Sequence, residues 1–299
     1  MLVDTTKSSL AVQGGEDAGG RRYACLVVAT YLDEIMSWHR ERARQDTRSI
    51  AGLLREAELA SARPGFRRAL SRPECGIIAE IKRRSPSKGA LTDAEVVPVK
   101  LAREYGEGGA AAISVLTDGR FFGGSLPDLA AVANAVDLPL LRKDFVVSPR
   151  DLIDAKVAGA SAALVIAGAL DDEELATLLS AAADVGVETL VEVHHAGELE
   201  RFDLSLAAAI GVNQRDLETF AVDRDRAVAV RGAIPAGIPA VAESGIESAS
   251  DVTALARVGF SAVLVGELVM RSPARRETVM ELVEAGRSVR QDLRDNQPG

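Results

Sequence analysis

The stretch 162-AALVIAG-168 decides the fold class of this 299-residue chain, and 262-AVLVG-266 repeats its character near the carboxyl end. Both runs are apolar at consecutive positions up to the final glycine, instead of alternating between apolar and polar residues. Strands of this kind are covered on both faces, as in a parallel sheet with helices packed against it. The sequence therefore predicts a parallel α/β architecture.

Eight short apolar runs follow one another after Pro73, and each is followed by a stretch with helical periodicity. They cover residues 76–82, 110–117, 138–144, 161–168, 188–194, 207–213, 239–245 and 262–267. Eight strand–helix units favour closure, so we expect a (β/α)8 TIM barrel over residues 73–299. An open doubly wound sheet is the alternative, but 82-KRRSPSKG-89 after the first run is not its glycine-rich dinucleotide turn.

The region ahead of the barrel divides into two parts. Apolar residues recur at helical spacing from Leu32 to Trp38, and a second amphipathic helix is expected over residues 49–60. Residues 29–72 are therefore predicted to form an N-terminal helical extension. Residues 1–28 show no periodic apolar pattern and are expected to be a disordered or variable leader.

Composition narrows the possible partners. The chain has 35 Lys and Arg against 44 Asp and Glu, a net charge of −9, which argues against nucleic acid or an anionic membrane as the main partner. Cys25 and Cys75 lack neighbouring ligand residues, so neither a disulfide scaffold nor a zinc site is expected. No run approaches the ~18–20 apolar residues of a membrane span. We expect a cytoplasmic protein.

The chemistry of a TIM barrel lies at the carboxyl ends of its strands, where this chain carries many charged groups. Glu80 and Lys82 are two residues apart on a strand, so their side chains share a face. Because buried charges are unfavourable unless they are paired or used, the whole set predicts an active site. The residues at these ends are Glu80, Lys82, Lys143, Asp144, Glu192, Asn213, Arg215, Glu243, Ser244, Gly245, Gly266 and Glu267.

The ends of the last two predicted strands favour a phosphate site. Gly245 and Gly266 allow close approach to the backbone, and TIM barrels commonly bind phosphate there through N–H groups. A metal site is not expected at His194-His195, because adjacent residues on a strand point to opposite faces and His39 is remote in sequence.

The segment 78-IAEIKRRSPSKG-89 resembles the signature of the indole-3-glycerol phosphate synthase family. The resemblance extends from about residue 31 to 290 and departs in the leader and in the looser run 163-ALVIAGAL-170. Further segments agree in order: 114-SVLTDGRFFGGSLPDL-129, 140-LLRKDF-145, 190-LVEV-193, 210-IGVNQRDLETF-220, 242-AESGI-246 and 264-LVGELVMR-271.

The resemblance implies conversion of 1-(2-carboxyphenylamino)-1-deoxyribulose 5-phosphate to indole-3-glycerol phosphate, carbon dioxide and water, with no metal and no organic cofactor. It implies the catalytic residues Glu80, Lys82, Lys143, Glu192, Asn213 and Ser244. It implies substrate-binding residues Ser85, Phe121, Phe145, Arg215 and Glu243, and phosphate-binding residues Gly245, Gly266 and Glu267. Beyond this small phosphorylated substrate, we expect a monomer or a weak homo-oligomer.

The implied chemistry suits these residue types. Either lysine ammonium can protonate the ketone oxygen as the ring closes, and Glu192 suits the role of base. Two alternatives stand beside this interpretation. A phosphoribosylanthranilate isomerase is expected to carry a Cys/Asp pair near strands 1 and 5, where this chain has Glu80 and Lys82. A non-catalytic relative that only binds phosphorylated ligands would have lost the charged set, which is intact here.

Overall fold

A computed structural model describes residues 10–16, 22–28, 30–85, 89–91, 96–215 and 221–295. Its centre is a closed barrel of eight parallel strands, in which each strand pairs with its neighbours along the chain and β8 pairs with β1. The strands are β1 Gly76–Ile81, β2 Ala112–Leu116, β3 Leu140–Lys143, β4 Ala162–Ile166, β5 Glu188–Val193, β6 Ala209–Asn213, β7 Ala240–Glu243 and β8 Ala262–Val265. The predicted TIM barrel is confirmed, and every strand lies within its predicted run.

Helices alternate with the strands, with one exception. The two 3₁₀ turns Ala196–Arg201 and Leu204–Leu206 follow β5, where the sequence predicted a helical segment. This connection, residues 194–208, is short, and Asp203 accepts the backbone N–H of Ser205 at the start of the second turn, which favours a tight turn over an α-helix. The helices after the first strand are α4 Pro98–Glu107, α5 Leu126–Ala133, α6 Pro149–Val157, α7 Asp172–Val185, α8 Arg224–Arg231, α9 Ala249–Val258, α10 Glu267–Arg271 and α11 Arg275–Asp295.

Three helices precede the barrel: α1 Tyr31–Gln45, α2 Ile50–Glu58 and α3 Phe66–Leu70. Helix α1 begins at a capping box, in which Thr30 accepts the N–H of Asp33 and Asp33 accepts the N–H of Thr30. Both predicted helices of the extension are therefore present, and α3 is an addition that the sequence pattern did not indicate.

Helix α3 closes the amino-terminal end of the barrel. Phe66 and Leu70 are fully buried and pack against apolar side chains that fill the barrel interior, among them Leu141 and Leu190. The backbone N–H groups of Phe66 and Arg67 donate to the carboxylate of Glu188 at the start of β5. The extension thus supplies part of the barrel core.

The predicted leader falls partly outside the described residues. Within it, the structure has a two-stranded antiparallel hairpin, Leu10–Glu16 with Arg22–Val28, in which Leu10 lies opposite Val28. The sequence pattern had not indicated strands here. Among the described residues, no helix is long and apolar enough to cross a membrane.

Candidate active site

A cavity of about 750 Å³ opens at the carboxyl ends of the strands. Of the fourteen residues predicted for the site, all but Phe121 line it. Helix α1 covers part of this cavity, since Tyr31, Leu32 and Ile35 contribute to its wall. The barrel topology therefore brings together groups that are widely separated in the sequence, as the strand-end rule predicts.

Lys143 occupies the centre of the charged groups. It is the last residue of β3, and its Nζ donates to Glu192 Oε2 at 3.0 Å and to Glu243 Oε2 at 2.6 Å. Burial alone would lower the pKa of Lys143, but the two carboxylates outweigh this effect and raise that pKa above its ordinary value. The ammonium group is therefore held in its charged form.

The pKa values of the two carboxyl groups beside Lys143 are shifted in opposite directions. Burial raises the pKa of Glu243 to about 7, since Lys143 offsets it only in part and the nearby charges of Glu192 and Glu80 add to it. Burial also acts to raise the pKa of Glu192, but Lys143, His194 and a hydrogen bond from an amide outweigh it and lower that pKa. Neighbouring carboxyl groups with separated pKa values are an arrangement suited to acid–base catalysis.

A hydrogen-bonded chain fixes Glu192 from its other side. Asn213 Nδ2 donates to Glu192 Oε1 at 3.0 Å, and Ser244 Oγ donates to Asn213 Oδ1 at 2.9 Å. Ser244 has φ = 69°, which makes it the only non-glycine residue with positive φ in the described part of the chain. Such a conformation is costly and persists where the surroundings enforce it, often at functional sites. Asn213 and Ser244 thus hold Glu192 in one orientation.

Glu80 and Lys82 form the second charged pair, at the end of β1. Glu80 Oε1 lies 2.5 Å from Lys82 Nζ, and Lys82 is the more exposed of the two. A Cβ on Gly266 would lie 2.5 Å from Glu80 Oε1 and 3.2 Å from Lys82 Nζ. A Cβ on Gly211 would likewise collide with Glu243 Oε1. These glycines make room for the carboxylates, a role that the sequence did not reveal for Gly211.

The aromatic wall differs from the prediction by one residue. Phe122 lines the cavity and lies 6.0 Å from the Phe145 ring, whereas Phe121 is buried outside the cavity. Phe121 packs edge-on against Tyr31 and Trp38 of α1 at centroid distances of 5.8 and 6.0 Å. Of these two adjacent residues, the structure therefore places Phe122 in the cavity wall and Phe121 against α1, because the loop after β2 turns the two rings to opposite sides.

The remaining predicted residues lie around the rim of the cavity. Arg215 follows β6, and its N–H donates to Asn213 Oδ1 at 3.0 Å. Gly245 has φ = +71°, a conformation that favours glycine. Glu267 begins α10 and pairs with Arg271 Nε at 3.2 Å, which partly neutralises its charge beside the predicted phosphate position. Ser85 lies on the opposite side, in a short antiparallel ladder with Gly89.

One grouping in the described part of the chain has the composition of a metal site: His39, Asp118 and Asp144, all buried. Its carboxylate oxygens already accept hydrogen bonds from protein donors. Thr117 and Arg142 donate to Asp144 Oδ2 at 2.6 and 2.7 Å, and backbone N–H groups donate to the Oδ1 atom of each aspartate. The protein's own hydrogen bonds account for this arrangement. Of the adjacent residues His194 and His195, the second is exposed, and its Nε2 lies 3.2 Å from Glu198 Oε1.

The fold and the site together define a TIM-barrel protein. Two lysines and three glutamates meet in its cavity at the carboxyl ends of the strands. The sequence profile described as "Indole-3-glycerol phosphate synthase" matches residues 32–282. The chain belongs to the indole-3-glycerol phosphate synthase family.

Individual relatives agree with this assignment. The chain is 44% identical over 267 residues to indole-3-glycerol phosphate synthase of Mycobacterium ulcerans, a match that covers 86% of this chain and 95% of that protein. It is 43% identical over 262 residues to the protein of the same name from Beutenbergia cavernae, with 86% and 96% covered. Thiamine phosphate pyrophosphorylase from Pyrococcus furiosus has a similar structure, with a TM-score of 0.56 over 75% of this chain and 99% of its own. At 16% identity, this last likeness shows the fold alone.

Proposed function

We propose that the protein converts 1-(2-carboxyphenylamino)-1-deoxyribulose 5-phosphate to indole-3-glycerol phosphate, carbon dioxide and water, as a carboxy-lyase of tryptophan biosynthesis. The observation that carries this proposal is Lys143, held in its charged form between Glu192 and Glu243 at the base of the cavity. Family membership supports the same reaction. The cavity volume of about 750 Å³ lies in the range that accommodates ligands of this size.

The proposed roles follow from the charges. Ring closure needs a proton for the ketone oxygen, and the proposed donors are the ammonium groups of Lys82 and Lys143, which both line the cavity. Loss of carbon dioxide then removes the substrate carboxylate, which Arg215 or a lysine can pair with before it leaves. During dehydration, Glu192, with its lowered pKa, is the ionised base for the amine proton, and the second lysine ammonium protonates the departing hydroxyl so that it leaves as water. Glu80 positions Lys82.

Asn213 and Ser244 complete the proposed polar framework. Asn213 Nδ2 donates one N–H to Glu192 and has a second N–H for a substrate hydroxyl, whereas its Oδ1 already accepts from Ser244 and from the N–H of Arg215. A sugar hydroxyl bound by this second N–H would share the amide group that orients Glu192. The aromatic part of the substrate is proposed to lie against Phe122 and Phe145, two of the aromatic rings that line the cavity.

The proposed phosphate position is at the ends of β7 and β8, against the backbone N–H groups of Gly245, Gly266 and Glu267. A crystal grown with sulfate tests this, and an anion is expected within hydrogen-bonding distance of these groups. Anion density only at another place in the cavity would contradict it. Gly245→Val should also raise KM, since a Cβ there would lie 2.5 Å from Val222 Cγ1.

The activity itself is tested by incubating the purified protein with the proposed substrate and following the fluorescence of the indole product. One carbon dioxide is expected for each indoleglycerol phosphate. Turnover of phosphoribosylanthranilate instead would support the isomerase alternative, and binding without turnover would support a non-catalytic role. Either outcome would contradict the proposal.

We also propose that one chain, without metal or organic cofactor, carries the complete reaction, because its own lysines and carboxylates supply the proton donors and acceptors. Activity should survive dialysis against EDTA, and specific activity should not change on dilution. A loss that only added metal restores, or a loss on dilution, would overturn this part of the proposal. Light scattering on the same samples would report the oligomeric state.

A further inference from the structure

His39 is a fully buried histidine that lies outside the predicted site. It is on α1, and its Nε2 lies 3.0 Å from Asp118 Oδ2 and 3.9 Å from Asp144 Oδ1. These two aspartates belong to different segments of the barrel mouth, since Asp118 follows β2 and Asp144 follows β3. One side chain of the extension therefore faces both segments.

The hydrogen-bond pattern identifies which nitrogen of His39 carries the proton. Nδ1 is buried and has no hydrogen-bond partner within the described structure, whereas Nε2 faces a carboxylate oxygen. A proton on Nδ1 would leave a buried N–H unsatisfied, which is unfavourable. A proton on Nε2 satisfies this geometry, because Nε2–H then donates to Asp118 Oδ2. His39 is then a hydrogen-bond donor in the buried contact between α1 and the barrel.

Asp118 transmits this contact to the aromatic wall of the cavity. Its Oδ1 accepts the backbone N–H of Phe121 at 2.5 Å and that of Phe122 at 2.9 Å, while its Oδ2 accepts His39. The carboxylate therefore sets the bend that points Phe122 into the cavity and Phe121 toward Trp38 of α1. Without its partner, this buried carboxylate would lose one of the donors that fix its orientation.

The segment that follows β3 packs against the same histidine. The His39 ring lies 5.4 Å from the ring of Phe145, and Asp144 Oδ1 accepts the backbone N–H of Phe145 at 2.9 Å. Phe145 lines the cavity as Phe122 does, and Asp144 separates it from Lys143 in the sequence. From outside the cavity, His39 thus contacts the two segments that carry Phe122 and Phe145.

We propose that His39 is a positioning residue, which holds the aromatic wall formed by Phe122 and Phe145 in the arrangement that receives the aromatic part of the substrate. The inference rests on the proposed function for the identity of that substrate. His39 acts through Asp118 and through the segment of Asp144, without touching the cavity. It makes α1 a structural part of substrate recognition.

The test compares His39→Leu with His39→Gln. Leucine fills the space without a donor, whereas the glutamine Nε2 offers a donor near the position of the imidazole Nε2. We expect His39→Leu to raise KM by about tenfold, the order that the loss of one hydrogen bond to a charged group produces, with kcat within about twofold. His39→Gln should restore most of the wild-type KM.

Met36→Ala is the matched control. Met36 is buried on the same helix and belongs to the apolar core, and it is not among the residues that line the cavity. It should lower the melting temperature while leaving KM near the wild-type value. An equal rise of KM in Met36→Ala, an unchanged KM in His39→Leu, or the same defect in His39→Gln would overturn the positioning role.

A readout without substrate separates this inference from the proposed function. Hydrogen exchange at the amides of Phe121 and Phe122 should be faster in His39→Leu than in wild type, and close to wild type in His39→Gln. Trp38, the only tryptophan, should report the same change through its fluorescence, since its ring lies 4.8 Å from that of His39. A wild-type protein that forms no product refutes the proposed function alone, whereas unchanged amide exchange refutes the role of His39.

Discussion

Phe66 and Leu70 close the amino end of the barrel with fully buried apolar side chains, whereas Lys143, Glu192 and Glu243 meet at its carboxyl end. The apolar end contributes stability, since burying such side chains is favourable. The charged end removes ions from water, which is unfavourable unless the ions are paired. The difference indicates a division of roles: one end stabilises the barrel, and the other holds the charged groups proposed for catalysis at the expense of stability.

The largest effect is expected from the lysines of the charged end. Lys143→Met and Lys82→Met should each lower kcat by about 10²–10⁴, because each removes a possible proton donor from the cavity. Folding should survive Lys143→Met, since loss of the ammonium leaves Glu243, whose pKa is already raised to about 7, free to take up a proton. Steady-state kinetics and circular dichroism would measure both properties.

Lys100→Met is the matched control for these variants, because Lys100 is on α4 with its side chain 72% exposed. It should leave kcat at the wild-type value. Near wild-type turnover in Lys82→Met or Lys143→Met would show that this lysine is not an essential acid. Unfolding of both variants would contradict the idea that the amino end of the barrel, and not the charged end, stabilises the fold.

A smaller loss is expected from Gly266→Ala. The new Cβ would lie 2.5 Å from Glu80 Oε1 and must displace this carboxylate together with Lys82. We expect kcat to fall by about 10²-fold, the order produced by a 1 Å misplacement of a catalytic group. Gly52→Ala on α2 is the control, since its Cβ would meet only ordinary contacts at 3.7 Å or more. A rise of KM with unchanged kcat would instead indicate that Gly266 serves the phosphate alone.

The free energy of unfolding should depend on pH through Glu243. Its pKa is raised to about 7 in the folded protein, above the ordinary value of 4.5, so the folded state binds more protons between these values. The stabilisation is present below pH 4.5 and is lost as pH rises toward 7, by at most about 1.4 kcal/mol per pH unit. Urea unfolding at pH 5, 6 and 7 should show this slope in wild type relative to Glu243→Gln.

Other groups titrate over the same pH range. The contribution of Glu243 is therefore the difference in pH slope between wild type and Glu243→Gln. Glu247→Gln is the control, because this side chain is 77% exposed at the cavity rim. It should keep the wild-type slope. Parallel curves for wild type and Glu243→Gln would show that Glu243 is ionised throughout the range.

The smallest effect is expected at the amino terminus. Removing residues 1–28 should change kcat and KM by no more than about twofold, because the first side chain known to line the cavity is Tyr31. Removal through Arg48 takes away Tyr31, Leu32 and Ile35 and should raise KM. An unchanged KM in the longer truncation would refute the covering role of α1.

Much of the carboxyl end could be predicted from the sequence, because strand ends have a fixed position relative to continuous apolar runs. Lys143 and Glu192 lie near the carboxyl ends of such runs, and both line the cavity. Phe121 and Phe122 lie in a loop, where no periodicity distinguishes adjacent residues. The bend imposed by Asp118 decides which ring enters the cavity, and that bend depends on hydrogen bonds absent from any local pattern.

The amino end and the supporting residues were harder to predict. Phe66 is in a helix of five residues, too short for a periodic pattern, and it is buried only because the barrel offers an open apolar end. Gly211 is informative only once the carboxylate of Glu243 is known to lie against it. His39 lies on the helix face predicted to be buried, where a histidine gives no sign of the aspartates it will meet.

The same substitution at the two ends tests the division of roles most directly. Phe66→Ala should lower the free energy of unfolding by about 3–5 kcal/mol while kcat/KM stays near wild type at a temperature where the protein is folded. Phe122→Ala should lower kcat/KM by about tenfold, the order of one aromatic contact, with a smaller loss of stability than Phe66→Ala. Urea unfolding and steady-state kinetics on both variants give the four values. The account predicts opposite patterns for the two phenylalanines, and equal losses of stability and of kcat/KM at both ends would contradict it.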